Sequence, residues 1–368
     1  MAMMNMWIHN YVLAEIEREN TIASPKFINK DGTLKEFDFV VSNPPFSFKS
    51  WDTGIDSDND KFGRFDDYGI PPKKNGDFAF LLHLIKSLKN TGKGAIILPH
   101  GVLFRGNTEA EIRKKIIKSG IIKAIIGLPS NLFFGTGIPA CILLLDKENA
   151  QSRKGIFIID ASKEFVKNGN KNRLRARDIH KIVDTFEKQL EIPKYSRLVS
   201  FSEISDKNEY NLNITRYVDN QEKDDYQDIE AHLKGGIPTS NIDEMDYFWN
   251  VCPKLRNSLF SSINRDGYEK LNINKSKVKE IIFENSEFKK VLDKIEKSYV
   301  EWKVKHKDLL NEFKIKTSPK ETITIISEDI LEKFKKIELI NHYDVYQNLM
   351  AYWEDIMQDD MYLISQNG

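Results

Sequence analysis

The sequence is poor in the features that hold secreted or membrane proteins together. Only two cysteines occur among its 368 residues, Cys141 and Cys252, so a disulfide framework and the paired spacing of a zinc site are both excluded. No run of 18 apolar residues is present, and residues 1–10 lack the basic start and apolar core of a signal peptide. We therefore expect a cytoplasmic protein without a membrane span or a metal site.

An excess of either charge is also missing. The sequence contains 55 basic and 55 acidic residues. No overall field therefore attracts nucleic acid, and any DNA contact must come from local patches or from a partner. A hydrophobic content of 40% and a charged content of 30% are typical of a globular protein. The length allows two domains with substantial cores.

Glycine is scarce at the start of the chain, where the first 42 residues contain Gly32 alone. A short apolar run at residues 37–41 then predicts a buried strand of a parallel sheet. It stops at Asn43-Pro44-Pro45-Phe46, where two prolines remove two backbone donors and fix two φ angles. The sequence therefore predicts a rigid turn at the carboxyl end of a strand, where open α/β sheets bind ligands.

This turn combines hydrogen-bond acceptors with an aromatic ring. The amide oxygen of Asn43 and the carbonyl oxygen of Pro44 can converge on one amine, and Phe46 adds a flat face. Such a set suits an extruded nucleobase that carries an exocyclic amine. The alternative interpretation is a loop stiffened by proline that merely ends a strand.

Strands alternate with helices over the first two hundred residues, which predicts an α/β fold with a mostly parallel sheet. Helical spacing from Phe78 to Leu88 predicts a helix that Asn90 and Gly92 end, and Thr108 with Glu111 predicts a capping box for the next one. A polar stretch at residues 51–76 predicts a long surface loop. Further buried strands are predicted at residues 95–98, 121–127, 140–145 and 155–159, with residues 138–145 in an antiparallel hairpin.

The composition changes after about residue 218. Residues 221–227 are highly charged and predict a linker, and charged helical patterns from residue 275 onward predict a bundle. One face of these helices would bury the bundle core while another meets a partner subunit. A group of aromatic residues near the end predicts a packed cluster rather than an interface or a base-stacking platform: Tyr343, Tyr346, Tyr352, Trp353 and Tyr362.

The turn at residues 43–46 resembles motif IV of the amino-methyltransferases. Five further segments are similar to the modification subunits of type I restriction-modification systems, an adenine-specific DNA methyltransferase family: Asn75–Leu81, Gly92–Pro99, Leu128–Pro139, Phe157–Ser162 and Tyr210–Tyr217. The likeness covers most of the chain. It implies a partial Rossmann-like methyltransferase sheet in a catalytic domain at residues 1–218, followed by an α-helical C-terminal domain at residues 219–368.

The resemblance implies that a methyl group passes from S-adenosylmethionine to the N6 amine of adenine in double-stranded DNA. Asn43, Pro44, Pro45 and Phe46 would be the catalytic residues, because the two acceptors orient the amine and the ring stacks on the flipped base. Phe133 and Phe134 would line the base pocket. The implied partners are a specificity subunit that sets the target sequence, a restriction subunit and a second modification subunit.

The resemblance leaves the cofactor site incomplete. Members of the family hold the methionine part of the cofactor in a glycine-rich loop, and no such loop precedes Asn43. Residues 3–10 resemble the helix that follows that loop, so we expect a chain that begins inside the catalytic domain. Asn20, where an acidic residue is usual, would contact the adenine ring of the cofactor, and Asn43 would contact the cofactor as well.

Alternative functions follow from this gap. The chain could be an active half that another chain completes, or a catalytically silent fragment that only binds the specificity subunit. A small-molecule or protein methyltransferase is a further alternative, against which the long likeness beyond the sheet argues.

Two other candidates have simpler interpretations. Gly135-Thr136-Gly137 resembles half of a phosphate loop, but the rest of that motif is missing, so a turn between two strands is expected. His100 could act as a general base. An oriented amine needs little help from a base, so no catalytic role is assigned to His100.

Overall fold

The computed structural model describes residues 1–220 and 227–368. These residues belong to two compact units, Met1–Gln221 and Glu222–Gly368. Nearly all of the predicted linker at residues 221–227 lies outside the described residues. The functional roles given to the two predicted domains stay predictions.

A six-stranded sheet in the order β1-β2-β4-β3-β5-β8 forms the centre of the first unit. The strands of the first unit are β1 (Phe37–Ser42), β2 (Leu88–Pro99), β3 (Ile122–Gly127), β4 (Ala140–Asp146), β5 (Gly155–Asp160), β6 (Val166–Asn168), β7 (Lys171–Arg173) and β8 (Ser196–Ser200). Strands β6 and β7 form a separate hairpin. The helices of the first unit are α1 (Ala2–Ile8), α2 (Asp77–Lys86), α3 (Thr108–Lys118) and α4 (Ala176–Glu187). The predicted α/β fold and the four further strands are confirmed.

The sheet is mixed, so the expectation of a mostly parallel sheet is only partly correct. The pairs β1/β2 and β3/β5 are parallel, whereas β2/β4, β3/β4 and β5/β8 are antiparallel. The predicted β3–β4 hairpin is confirmed, and it places β4 between two strands of the opposite direction. Four strands (β1, β2, β3 and β5) therefore share one direction, and their carboxyl ends meet at one end of the sheet, called here the carboxyl end.

Strand β1 exists as predicted, but it is not buried. It is the terminal strand of the sheet, and Phe39 and Val41 are 75% and 81% exposed. Only the opposite face, through Val40, packs on the hydrophobic core. The prediction of burial used only the apolar composition of the run. The second face of β1 is exposed because no described element covers it.

Two predicted helix boundaries are wrong. Helix α2 ends at Lys86, and Asn90 and Gly92 belong to β2, where the pairing with β1 jumps from Leu88 to Lys93. A Cβ on Gly92 would lie 3.0 Å from the carbonyl oxygen of Phe37, so this bulge requires glycine. The capping box is also absent, because Thr108 already lies inside α3.

The segment at residues 51–76 has no helix or strand, yet it is more than a surface loop. Trp51 and Phe65 are buried in edge-to-face contact at 5.4 Å. The Arg64 guanidinium is also buried, where it pairs with Asp60 at 2.6 Å and donates to the carbonyl oxygen of Ile22 at 2.8 Å. The polar composition of the segment did not predict this packing, because only a few aromatic side chains anchor the loop to the core.

The second unit is mainly helical, as predicted. It also contains a small three-stranded sheet in the order β10-β11-β9, which was not predicted. Its helices are α5 (Ile229–Lys234), α6 (Thr239–Asp243), α7 (Asp246–Trp249), α8 (Pro253–Leu259), α9 (Val278–Glu284), α10 (Ser286–Asn311), α11 (Pro319–Phe334), α12 (His342–Tyr352) and α13 (Gln358–Asn367), and its strands are β9 (Ile237–Pro238), β10 (Phe260–Ser262) and β11 (Tyr268–Leu271). No helix among the described residues is long and apolar enough to cross a membrane.

The predicted aromatic cluster near the end of the chain is partly confirmed. Tyr343, Tyr346 and Trp353 are buried, with Trp353 beside Ile323 of α11. Tyr352 and Tyr362 are about half exposed, so the helices from α12 to α13 leave part of this group at the surface of the unit.

Candidate active site

The predicted turn begins directly after β1, at the carboxyl end of the sheet. Asn43 is exposed, Pro44 is buried and Phe46 is half-buried. Within the described parts of the chain, the Asn43 side chain has no hydrogen-bond partner and the Pro44 carbonyl oxygen receives no hydrogen bond. Both acceptors are therefore without an internal hydrogen bond, and the proline ring fixes the backbone between them.

A buried carboxylate holds the end of this turn. Asp77, the first residue of α2, is fully buried, and its Oδ1 accepts a hydrogen bond from the backbone N–H of Ser47 at 2.7 Å. Ser47 has a φ of 50°, in the left-handed region that residues with a side chain rarely adopt. The hydrogen bond from Ser47 to Asp77 therefore stabilises an unfavourable backbone conformation directly after Phe46.

Arg105 completes this contact. Its Nη1 lies 2.8 Å from Asp77 Oδ2, and its Nη2 donates to Ser47 Oγ at 3.3 Å. The guanidinium passes over Gly101, where a Cβ would lie 2.4 Å from Arg105 Nε. Glycine at position 101 therefore leaves room for the arginine. These three residues, Ser47, Asp77 and Arg105, are called the loop clamp below.

The loop between β3 and β4 brings a second aromatic ring to the turn. Phe133 contacts Phe46 edge to face, with ring centroids 5.6 Å apart, while Phe134 is 95% exposed. Residues 135–137 lie in this same loop, so the predicted turn between two strands is confirmed. Phe46 and Phe133 thus form one aromatic wall beside the two free acceptors.

His100 lies at the same end of the sheet, directly after β2. Its Nε2 is buried without a hydrogen-bond partner, and burial lowers the pKa of the imidazole. The ring is therefore neutral at neutral pH. The absence of a catalytic role for His100 stays a prediction.

Asn20 lies in a separate turn. Its Oδ1 accepts hydrogen bonds from the backbone N–H groups of Ile22 and Ala23, both at 3.0 Å, so the amide oxygen already stabilises its own loop. A cavity of about 320 Å³ separates this loop from β1, and its lining includes Glu19, Thr21 and Ser42. The neighbours of Asn20 and Asn43 therefore face one cavity, although neither asparagine lines it.

His83 lines the same cavity and makes the fold sensitive to acid. Burial, and next the Arg64 guanidinium 3.4 Å away, lower the pKa of His83 to about 4. The unfolded chain binds this proton below about pH 6.5 and the folded chain does not, so stability falls as the pH drops from 6.5 to 4. We expect a loss on the order of 2 kcal/mol across this window.

Urea unfolding at pH 7, 6 and 5 measures this effect. His83→Gln should flatten the pH dependence, and the exposed His9→Gln should leave it unchanged. Equal slopes for the His83→Gln variant and the original chain would contradict the assignment.

Sequence comparison shows which protein family the chain belongs to. The profile of the N-6 DNA methylase family matches residues 1–226. The chain belongs to this family. The match covers more than half of the chain and ends close to the boundary between the two units, at residues 221 and 222.

Among curated relatives, the chain is 35% identical over 238 residues to the MpnII methylase subunit of a type I restriction enzyme from Mycoplasma pneumoniae, and 37% identical over 208 residues to the MjaVII methylase subunit from Methanocaldococcus jannaschii. These matches cover 62% and 54% of this chain but only 42% and 35% of the relatives. The chain thus spans less than half the length of these proteins.

A solved structure is also similar to part of this chain. It is the methyltransferase subunit of a type I restriction-modification system from Streptococcus thermophilus, with a TM-score of 0.53 and 41% identity. The match covers 59% of this chain and 45% of that one. The expected resemblance to type I modification subunits is therefore confirmed.

Sequence reasoning missed the loop clamp. Asp77 lies in a segment that carries the family resemblance, but a carboxylate at a helix start is usually a cap. Arg105 lies outside all the segments that carry the resemblance. Nothing in the spacing of Asp77 and Arg105 predicts their contact. No group of three or more His, Cys, Asp or Glu side chains in the described residues is arranged to hold a metal ion.

Proposed function

We propose that this chain acts as the modification subunit of a type I restriction-modification system and methylates the N6 amine of adenine in double-stranded DNA. One observation carries the proposal: at the carboxyl end of β1, two free acceptors, Asn43 Oδ1 and the Pro44 carbonyl, lie beside the aromatic wall of Phe46 and Phe133. Membership of the N-6 DNA methylase family supports the same chemistry.

The turn would act by orientation. An adenine flipped out of the duplex, at a cost of a few kcal/mol, would stack on Phe46 and donate both amine hydrogens, one to Asn43 and one to Pro44. Two acceptors in the base plane direct the nitrogen lone pair out of that plane, toward the methyl donor. Catalysis of this kind relies on proximity and electrostatic preorganisation and requires no covalent intermediate.

The cofactor of this reaction would be S-adenosylmethionine, which supplies an electrophilic methyl group. The cavity between the Asn20 loop and β1 fits part of it, because Glu17, Glu19, Thr21 and Ser42 offer acceptors for an adenosine group. No glycine-rich turn adjoins this cavity in the described residues. This chain therefore provides one side of a cofactor site.

We expect this 368-residue chain to bind S-adenosylmethionine weakly when tested alone, with a dissociation constant above roughly 100 μM. Phe39 and Val41 of β1 are exposed, and no glycine-rich turn among the described residues adjoins the cavity to hold the methionine part of the cofactor. Isothermal titration calorimetry measures this directly, with a full-length methylase subunit of the family as the positive control. A dissociation constant of a few micromolar would contradict the expectation.

The helical unit is proposed to bind a partner subunit. Its core holds the bundle together, whereas Val300 and Val304, one turn apart on α10, are 49% and 65% exposed. Apolar residues aligned on an outer face favour a protein contact. We propose a specificity subunit as this partner, with a second modification subunit and a restriction subunit completing the assembly.

The proposed function is tested by producing the chain with its specificity subunit, and with the glycine-rich segment of a full-length methylase subunit of the family to complete the cofactor site, in a host that lacks adenine methylation. Genomic DNA is then digested to nucleosides, and N6-methyladenine is quantified by mass spectrometry. Methylated adenine above the background of the empty host supports the proposal. Methylated cytosine instead, or no methylated base, would overturn it.

A further inference from the structure

The aromatic wall depends on a loop that has little structure of its own. Residues 128–139, between β3 and β4, form no helix or strand, and this loop carries Phe133. A hydrogen bond of 3.3 Å from the Asn131 N–H to the Gly137 carbonyl oxygen closes the loop. Among the described residues, no hydrogen bond from within the loop reaches Phe133. The backbone of Phe133 is therefore fixed from outside the loop.

A lysine of the β6–β7 hairpin provides this support. Lys171 is half-buried, and its Nζ donates to the carbonyl oxygens of Phe133 and Thr136 at 2.7 and 2.9 Å. One ammonium group thus joins both sides of the loop tip. Hydrogen bonds from a charged donor are stronger than those between neutral groups, so this contact is well suited to hold a loop.

The neighbouring residue of β7 binds the beginning of the same loop. The Asn172 N–H donates to the Asn131 carbonyl oxygen at 3.0 Å, and Asn172 Nδ2 donates to the Ser130 carbonyl oxygen at 2.7 Å. Together with the two hydrogen bonds of Lys171, these contacts tie β7 to the loop at both of its sides.

The hairpin is a firm support because its own base is anchored. Directly after β7, Leu174 packs against the same hydrophobic cluster as Phe133. Arg175 then forms an ion pair of 2.9 Å with Asp178, whose side chain is fully buried at the start of α4. Helix α4 in turn contributes Ile182 to that cluster. The strand that binds the loop therefore continues into a helix that packs on the core.

We propose that Lys171 and Asn172 are positioning residues for base capture, which hold Phe133 against Phe46 before the adenine is flipped. This inference rests on the proposed function, since it names the side chains that prepare the site of that reaction. A wall that is already in place avoids the entropic cost of ordering the loop when the base arrives. Without these hydrogen bonds DNA would still bind through phosphate contacts, but fewer flipped bases would be held in line for transfer.

The double variant Lys171→Met/Asn172→Ala tests this role, because it removes three of the four hydrogen bonds. In the assembled enzyme, with unmethylated genomic DNA as substrate, kcat should fall about tenfold because stacking on the base is weakened. KM for DNA should change less than about twofold, because phosphate contacts remain. The matched control is Lys167→Met/Asn168→Ala, which removes the same two side-chain types from exposed positions on β6 and should keep both constants.

A second background separates positioning from a general loss of stability. The Phe133→Ala variant has no ring to position, so adding Lys171→Met/Asn172→Ala should lower kcat further by less than about twofold. A tenfold loss in both backgrounds would overturn the proposal. An unchanged kcat in the original background, or an equal loss in the β6 control, would overturn it as well.

Hydrogen exchange of the purified 368-residue chain separates this proposal from the proposed function, because it requires no methylation. The amides of residues 131 and 172 should exchange at least about fivefold faster in the Lys171→Met/Asn172→Ala variant and at the original rate in the β6 control. Unchanged exchange would reject the positioning role alone, even if the original enzyme forms N6-methyladenine. Faster exchange with an original enzyme that forms none would reject the proposed function, and with it the role of the hairpin in base capture.

Discussion

Replacing Asn43 with alanine should lower the rate of methyl transfer at least about 100-fold, the scale of losing one preorganised hydrogen-bond partner in a polar transition state. Only the Pro44 carbonyl would then hold the adenine amine, and the lone pair of the amine nitrogen would no longer be directed at the methyl donor. The fold should be unaffected, because Asn43 is exposed and its side chain has no partner among the described residues. The measurement is single-turnover transfer of a labelled methyl group in the assembled enzyme.

Two variants sharpen this experiment. Phe46→Ala should chiefly weaken capture of the flipped base, since stacking on an aromatic ring is worth about 1–3 kcal/mol, with a smaller effect on overall DNA affinity. Asn90→Ala, an exposed asparagine away from the carboxyl end of the sheet, should keep the original rate. Near-normal methylation by Asn43→Ala would make the motif a structural turn, and the chain would then be better described as a partner-binding fragment.

The turn itself was predictable because its determinants are local. Two consecutive prolines after an apolar run fix a strand end whatever the rest of the chain does. Helix α3 follows the same rule, because Ile112, Ile116 and Ile117 recur at helical spacing in the sequence and all three are buried. Periodicity and turn chemistry act over a few residues, so the sequence reports them directly.

What could not be predicted depends on distant neighbours. The apolar run of β1 predicted burial, but its exposure depends on whether another element covers Phe39 and Val41. The short strand β8 was missed because Ser196–Ser200 mixes polar and apolar residues and is recruited by the edge of β5. The same limit applies to the contact of Phe46 with Phe133. The resemblance placed Phe133 and Phe134 at the base pocket, but nothing in the sequence predicted that Phe133 touches Phe46.

The loop clamp gives the second large effect. Asp77→Asn should lower the free energy of unfolding of the first unit by about 3 kcal/mol, because it leaves the Arg105 guanidinium without its buried charge partner. Glu109, 3.5 Å from Arg105, can compensate only in part, since burial raises the pKa of its carboxyl group. The asparagine can still accept the Ser47 N–H, so the loss reports the ion pair more than the hydrogen bond.

A surface pair provides the control for this measurement. Lys89 and Asp38 lie at 2.8 Å, the same separation as Arg105 and Asp77, but both side chains are exposed. Asp38→Asn should therefore leave urea unfolding unchanged, because water screens an exposed pair. If Asp77→Asn were equally silent, the clamp would not stabilise the turn. If it were destabilising, methyl transfer by the assembled enzyme should also fall. Arg105 would then no longer fix the side chain that accepts the Ser47 N–H, so the turn and its two acceptors would be held less firmly.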